Sequence, residues 1–169
     1  MQRPQRGECG DYYFRYIDLV PDGDVLEFLE QQLTELSELL GGISEEKSTY
    51  RYAEGKWSIK ELVGHINDTE RVFTGRALWF ARNNPGPLPG MEQDDFVEFG
   101  DFDQRSMANL AEEFSIIRTS SLMLLRNLTD EAWRRSGSAY GNPLTVHSIA
   151  WLLAGHVIHH ERILKERYL

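Results

Sequence analysis

His156 and His160 lie four residues apart near the end of the chain, with His159 between them. At a helical step of roughly 100° per residue, His156 and His160 stack on one face and His159 falls to its edge. Val146, Ile149, Leu153, Ile163 and Leu164 make that face apolar. Imidazoles aimed into a core are either hydrogen-bonded core residues or ligands of a metal ion, which replaces lost hydration and keeps the rings neutral. Two ligands rarely suffice. Of the five histidines, four fall within residues 145–169, and the fifth is His65, in the stretch GHINDTER. His65 sits at the flank of a second apolar stripe, where it would face a groove between helices. Three neutral imidazoles with positions left open are the pattern of a catalytic metal site.

Other chemistries lack their residues. A di-iron bundle site needs two Glu-x-x-His pairs, and the zincin motif needs His-Glu-x-x-His; His160-Glu161 is followed by Leu164 instead. No nucleophile elbow supports a Ser-His-Asp triad, and no glycine-rich phosphate loop occurs. Cys9 stands alone, so neither an internal disulfide nor a thiolate metal site is available, and nothing near it in sequence would activate it as a nucleophile.

The elements that must position the histidines read as four long helices. Asp24 is a good N-cap for the first, which repeats Leu26, Leu29, Leu33, Leu36 and Leu40 at helical spacing and stops at Gly41-Gly42. Ser58 and Glu61 form a capping box, and Trp57 and Leu62 are placed as a hydrophobic staple, opening the second helix. That helix carries His65 and ends before Pro85-Gly86-Pro87. A long connection follows, whose acids (Glu92, Asp94, Asp95, Glu98, Asp101 and Asp103) read as solvated surface. The third helix turns Leu110, Phe114, Ile117, Leu124 and Leu125 inward, and the fourth opens at Asn142-Pro143 or Thr145. Expected ranges are 24–41, 58–82, 104–128 and 144–167. Residues 1–20 read as an arm packed on the domain, and 136–142 as a loop. Residues 1–169 are thus expected to form a single all-α domain, a four-helix bundle.

The chain has 169 residues, 41% hydrophobic and 27% charged, ordinary values for a globular domain. A net charge of −9 argues against nucleic acid as the main partner. No apolar run approaches the ~20 residues of a membrane span. The polar start MQRPQRGECG is no secretory signal. The expected place is the cytoplasm.

Three stretches resemble one known family: TYRYAEGKWSIKELVGHINDTER, LPGMEQDDF and NPLTVHSIAWLLAGHVIHHERILKERYL. From about Asp24 to Leu169 the chain is similar to the DinB/YfiT-like superfamily of metal-dependent enzymes. The resemblance implies a bundle in down-up-up-down order, in keeping with the long connection between the second and third helices. It implies a divalent metal, typically nickel or zinc, on His65, His156 and His160, with His159 matching a neighbouring histidine not usually counted as a ligand. It also implies a homodimer. In the thiol-transferase branch of the family the last motif continues His-His-x-Gly-Gln, whereas here it reads His159-His160-Glu161-Arg162-Ile163.

The leading expectation is a metal-dependent hydrolase or thiol transferase. It would activate water or a low-molecular-weight thiol against a small-molecule substrate. The alternative is a non-catalytic metal- or ligand-binding bundle in a stress response. An acid or base beside the ion would discriminate; Asp68, one turn from His65, and Glu161, next to His160, are the candidates, each readable instead as an orienting or surface residue. Arg76 could meet an anionic substrate or form a surface salt bridge.

Overall fold

Each of the four long helices begins on a side chain that satisfies its free N–H groups. In the computed structural model, which describes residues 2–169, the Asp24 carboxylate accepts from the Leu26 and Glu27 amides. Ser58 accepts from Glu61, Ser106 from Asn109 and Thr145 from Ser148. Glu61 answers by accepting from the Ser58 amide at 2.8 Å, which closes the expected capping box, and Ser148 does the same for Thr145 at 3.0 Å. Such caps contribute ~1 kcal/mol each. In chain order the helices are α1 (Phe14–Ile17), α2 (Val25–Gly41), α3 (Glu45–Ser48), α4 (Ile59–Ala81), α5 (Gln93–Glu98), α6 (Met107–Arg126), α7 (Asp130–Arg134) and α8 (Val146–Ile163). The long ones, α2, α4, α6 and α8, are the four expected from sequence.

The departures lie between them. The segment read as a loop is a hairpin of β1 (Ser136–Ala139) and β2 (Asn142–Thr145), with Ser136 opposite Thr145 and Ala139 opposite Asn142. Tyr140 and Gly141 both take positive φ, 50° and 73°, which is what the tight turn of a two-residue hairpin requires. Two short strands are marginal alone. These are held from both sides: Thr145 N–H donates to the Glu8 carbonyl, and Ser138 exchanges bonds with Pro85 and Leu88. The N-terminal arm is itself structured, as a 3₁₀ turn (Asp11–Tyr13) leading into α1. The acidic connection contains α5. Its Asp103 is not simply solvated, because it accepts from Ser58 Oγ at 2.6 Å and from Arg51 at 2.7 Å. Helix α6 starts later than expected because Phe102–Gln104 forms a separate 3₁₀ turn before the Ser106 cap. Beyond α8 the ladder widens into a π-helical turn, Leu164–Tyr168.

Helix α2 packs on α6 and α8, and α4 packs on the same two. Directions follow from the bonds across the interfaces. Asn67 bonds the Leu110 carbonyl and Thr74 bonds Ser121, so α4 and α6 run parallel. Ser37 meets Ser115 while Glu30 meets Arg126, so α2 and α6 run antiparallel. His65, early in α4, meets His160, late in α8, so these two are antiparallel as well. The result is a four-helix bundle in down-up-up-down order.

The core is split in two. One apolar cluster holds Phe14, Leu29, Phe80, Leu122 and Trp151, the other Leu36, Ile59, Ile66, Phe114 and Val157. Between them on every long helix lies a buried polar residue: Gln32, Glu70, Arg118 and His156. Arg118 bonds both Glu70 carboxylate oxygens at 2.6 and 2.7 Å, the Leu29 carbonyl at 3.1 Å and Gln32 Oε1 at 3.0 Å. Removing one member of such a pair strands the other in a dry interior. We expect Arg118→Met to lose ~3–5 kcal/mol in urea denaturation, and Glu70→Leu with Arg118→Met to lose less than the single variant. A single-variant loss below ~1 kcal/mol would show that Glu70 reaches water.

Candidate metal centre

Because α4 and α8 run antiparallel, a histidine near the start of one faces histidines near the end of the other. His65 Nε2 lies 3.1 Å from His156 Nε2, and His160 Nε2 lies 3.0 Å from the same atom. One ligand-type nitrogen from each ring falls within 4.8 Å of the other two, and all three residues are buried. The expected triad is therefore assembled. His159 is half-buried, and its ring meets the edge of Tyr16 at 5.3 Å.

A glycine precedes each of two of these histidines, and each permits a close approach. A Cβ on Gly64 would lie 2.3 Å from the Phe102 ring, and one on Gly155 would lie 2.2 Å from the Tyr16 carbonyl. Gly155 thus lets the N-terminal arm dock against α8 beside His156.

Burial disfavours charge on all three rings. It brings His65 down to about 4, with a smaller push from His159. His156 and His160 are held well below the usual imidazole value, again chiefly by burial and then by the neighbouring histidines. At neutral pH the site presents neutral imidazoles, the form that ligates metals. Hydrogen bonding alone does not satisfy the arrangement. His156 Nε2 faces two other Nε2 atoms, and a neutral ring nitrogen is either one donor or one acceptor. A cation at the centre would take all three lone pairs. The spacings of 3.0 and 3.1 Å suit ligands of one ion, since bonds of ~2.0–2.1 Å put neighbouring ligands about 2.9–3.3 Å apart. Nδ1 of His65 and Nδ1 of His160 are buried without a protein acceptor. Their rings are held by packing instead, His65 against Trp57 at 4.8 Å between centroids.

A cavity of about 470 Å³ opens on His65 and His156. Leu152, Leu153 and Phe73 give it an apolar wall, and Tyr12, Tyr13 and Tyr16 of the arm close one side. These tyrosines were visible in the sequence as an aromatic run. Nothing there revealed that the arm folds over the histidines. A second cavity of about 370 Å³ reaches His160. Neither Asp68 nor Glu161 lines either one. Asp68 faces Arg71 at 3.5 Å and Glu161 bonds Lys165 at 2.6 Å, so both candidate acids are engaged elsewhere. Arg76 does line the larger cavity.

Residues 29–164 match the sequence profile of the DinB superfamily, and the chain belongs to that superfamily. No curated protein matches it in sequence. Among solved structures it is similar to YfiT from Bacillus subtilis, a probable metal-dependent hydrolase with an unusual four-helix bundle topology (18% identity, TM-score 0.69, 96% of this chain and 89% of that one). It is similar to a mycothiol-dependent maleylpyruvate isomerase (15% identity, TM-score 0.70), covering 86% of this chain but 61% of that protein. A DinB-like protein from Bacillus subtilis is 22% identical with a TM-score of 0.60, over 85% of this chain and 87% of that one. At these identities the likeness is one of fold.

The docked arm can be read through Cys9, which is buried and whose thiol is pushed up to about 11, first by burial and then by the Glu8 charge. At pH 8 it is therefore a neutral thiol. It should react with a thiol reagent roughly 10²-fold more slowly in the folded protein than in urea. Gly155→Ala, which sets a methyl against the Tyr16 carbonyl, should speed that reaction. An unchanged rate would show that the arm is not held through this contact.

Proposed function

We propose that this member of the DinB superfamily is a metal-dependent enzyme acting on a small molecule, with His65, His156 and His160 as ligands of a divalent cation, nickel or zinc. The observation that carries the reading is the convergence of three buried, neutral imidazole nitrogens that no pattern of hydrogen bonds among themselves can satisfy. When bound, the ion would lower the pKa of a water or thiol so that it attacks at neutral pH.

The chain's own residues supply the rest. The three rings, kept neutral by burial, turn their Nε2 atoms toward one another. The larger cavity reaches His65 and His156 from one side, so a small molecule can approach the centre. Its wall of Phe73, Leu152 and Leu153 makes one side of that approach apolar. The tyrosines of the arm, with Thr69 and Tyr140, bring hydroxyl groups to the same cavity. A cavity of this size supports catalysis over a purely structural ion or a non-catalytic binding bundle. Both hydrolysis and transfer of a low-molecular-weight thiol use this geometry. One neighbour in fold is described as a probable metal-dependent hydrolase and another as mycothiol-dependent, which supports keeping both as the reaction class.

Elemental analysis of the purified, metal-supplied protein should find roughly one divalent ion per chain. Ala at His65, His156 or His160 should abolish that content, while His159→Ala should keep it. The wild type should also gain thermal stability on adding nickel or zinc, and the three ligand variants should not. A wild type that takes up no divalent metal would overturn the reading, and loss in His159→Ala with retention in His160→Ala would overturn the ligand set.

A further inference from the structure

The cavity beside the histidines contains a cation with no carboxylate partner. Arg76 is 6% exposed, yet it takes part in no ion pair among the described residues. Its Nη2 donates to the Pro89 carbonyl at 2.8 Å, and its guanidinium lies 4.8 Å from the centroid of the Phe73 ring. The contrast is with Arg118, buried outright, which has a bidentate carboxylate and two further acceptors. A guanidinium carries five N–H donors in a planar fork, the shape that matches a carboxylate. Arg76 borders the cavity, so donors not given to Pro89 are available to whatever enters. Desolvation already weighs on its charge, so an anion there would relieve a cost the fold carries.

The placement also sets a shape. Arg76 follows His65 by eleven residues, which on an α-helix is about 20° around and roughly 16 Å along the axis. Thr69 lies between them on the same cavity wall, and Tyr13, Phe73, Leu152 and Leu153 make the space between largely apolar. Glu92, exposed at the mouth, also lines the cavity and is the carboxylate among its lining residues.

We infer that Arg76 is the anion-binding residue of this cavity, and that the cavity takes an elongated small molecule with a carboxylate at one end and an apolar body. Its reacting end lies at His65 and His156, a placement that rests on the function proposed above. The carboxylate and the reacting atom would stand on the order of 10 Å apart.

The probes are a series of ω-phenylalkanoates, from phenylacetate to phenylhexanoate, each beside its neutral primary amide. Binding is measured by calorimetry to metal-loaded and to chelator-treated protein. Wild type should prefer the best carboxylate over its amide by about tenfold or more in both forms. Arg76→Gln should erase that preference while keeping its metal content, and Arg76→Lys should keep part of it. The chelator-treated protein separates a carboxylate held by Arg76 from one held by the ion. Equal binding of acid and amide, no binding of either, or a preference that survives Arg76→Gln overturns the inference. Should Arg76→Gln fail to fold, Arg76→Lys carries the test, and an undiminished preference there counts against it. A protein that takes up no metal but keeps an Arg76-dependent preference sinks the metal centre alone. Full metal content without the preference sinks the anion site alone.

Discussion

A guanidinium shut away from water must find every partner in the protein, and Arg118 finds its partners on two other long helices and, through a relay, on the remaining one. Glu70 of α4 takes two of its bonds, Leu29 and Gln32 of α2 take two more, and Gln32 passes the contact on to the Ala154 carbonyl of α8 at 2.9 Å. Apolar surfaces attract without direction and would tolerate a helix sliding along its neighbour. Hydrogen bonds to buried charges do not, because each missing bond leaves a desolvated group unpaired. This layer therefore sets the heights of the four helices. Ala154 lies two residues before His156 and Glu70 five beyond His65, so the register that satisfies Arg118 also brings the histidines level.

The same dry interior decides the state of the imidazoles. Burial is the main force against their protonation, the histidines oppose one another, and the fixed charge of Arg118 adds to the effect at His156. Protons and metal ions compete for the same lone pairs, so a site that rejects protons is poised for a cation. Packing aims the rings where hydrogen bonds would ordinarily do so, through Trp57 on His65 and the edge of Tyr16 on His156. The proposed centre thus depends on close contacts around it, which explains the glycines at 64 and 155 that let Phe102 and the arm approach.

The larger cavity is composite. Its walls come from the arm, from α4, from the connection around Met91, from the hairpin turn at Tyr140 and from α8. Those segments meet because the hairpin pairs with the chain on both of its edges, Cys9 bridging to Leu144 and Leu88 to Ala139. An element too short to be stable alone becomes the clamp that gathers distant parts of the sequence around the histidines.

Local signals made much of this legible in advance. The caps at Asp24 and Ser58, the helical spacing of the leucines and the four-residue step from His156 to His160 are properties of short stretches, and each acts over one or two turns. They suffice to place the long helices and to separate His156 and His160 from His159, while pairing them with His65 rests on the absence of a better ligand set and on family resemblance. What the sequence alone left undetermined depends on groups brought together from far along the chain. The Glu70–Arg118 pair joins residues 48 positions apart, and the hairpin takes its stability from neighbours on either side rather than from strand propensity. Asp68 and Glu161 stand one turn from or beside a histidine in sequence yet turn to Arg71 and Lys165, while Tyr16, far away in sequence, lies against His156. Helical periodicity says which face a side chain occupies; only the packing of one helix against the next decides what that face meets, because burial and charge pairing are sums over the whole folded surface.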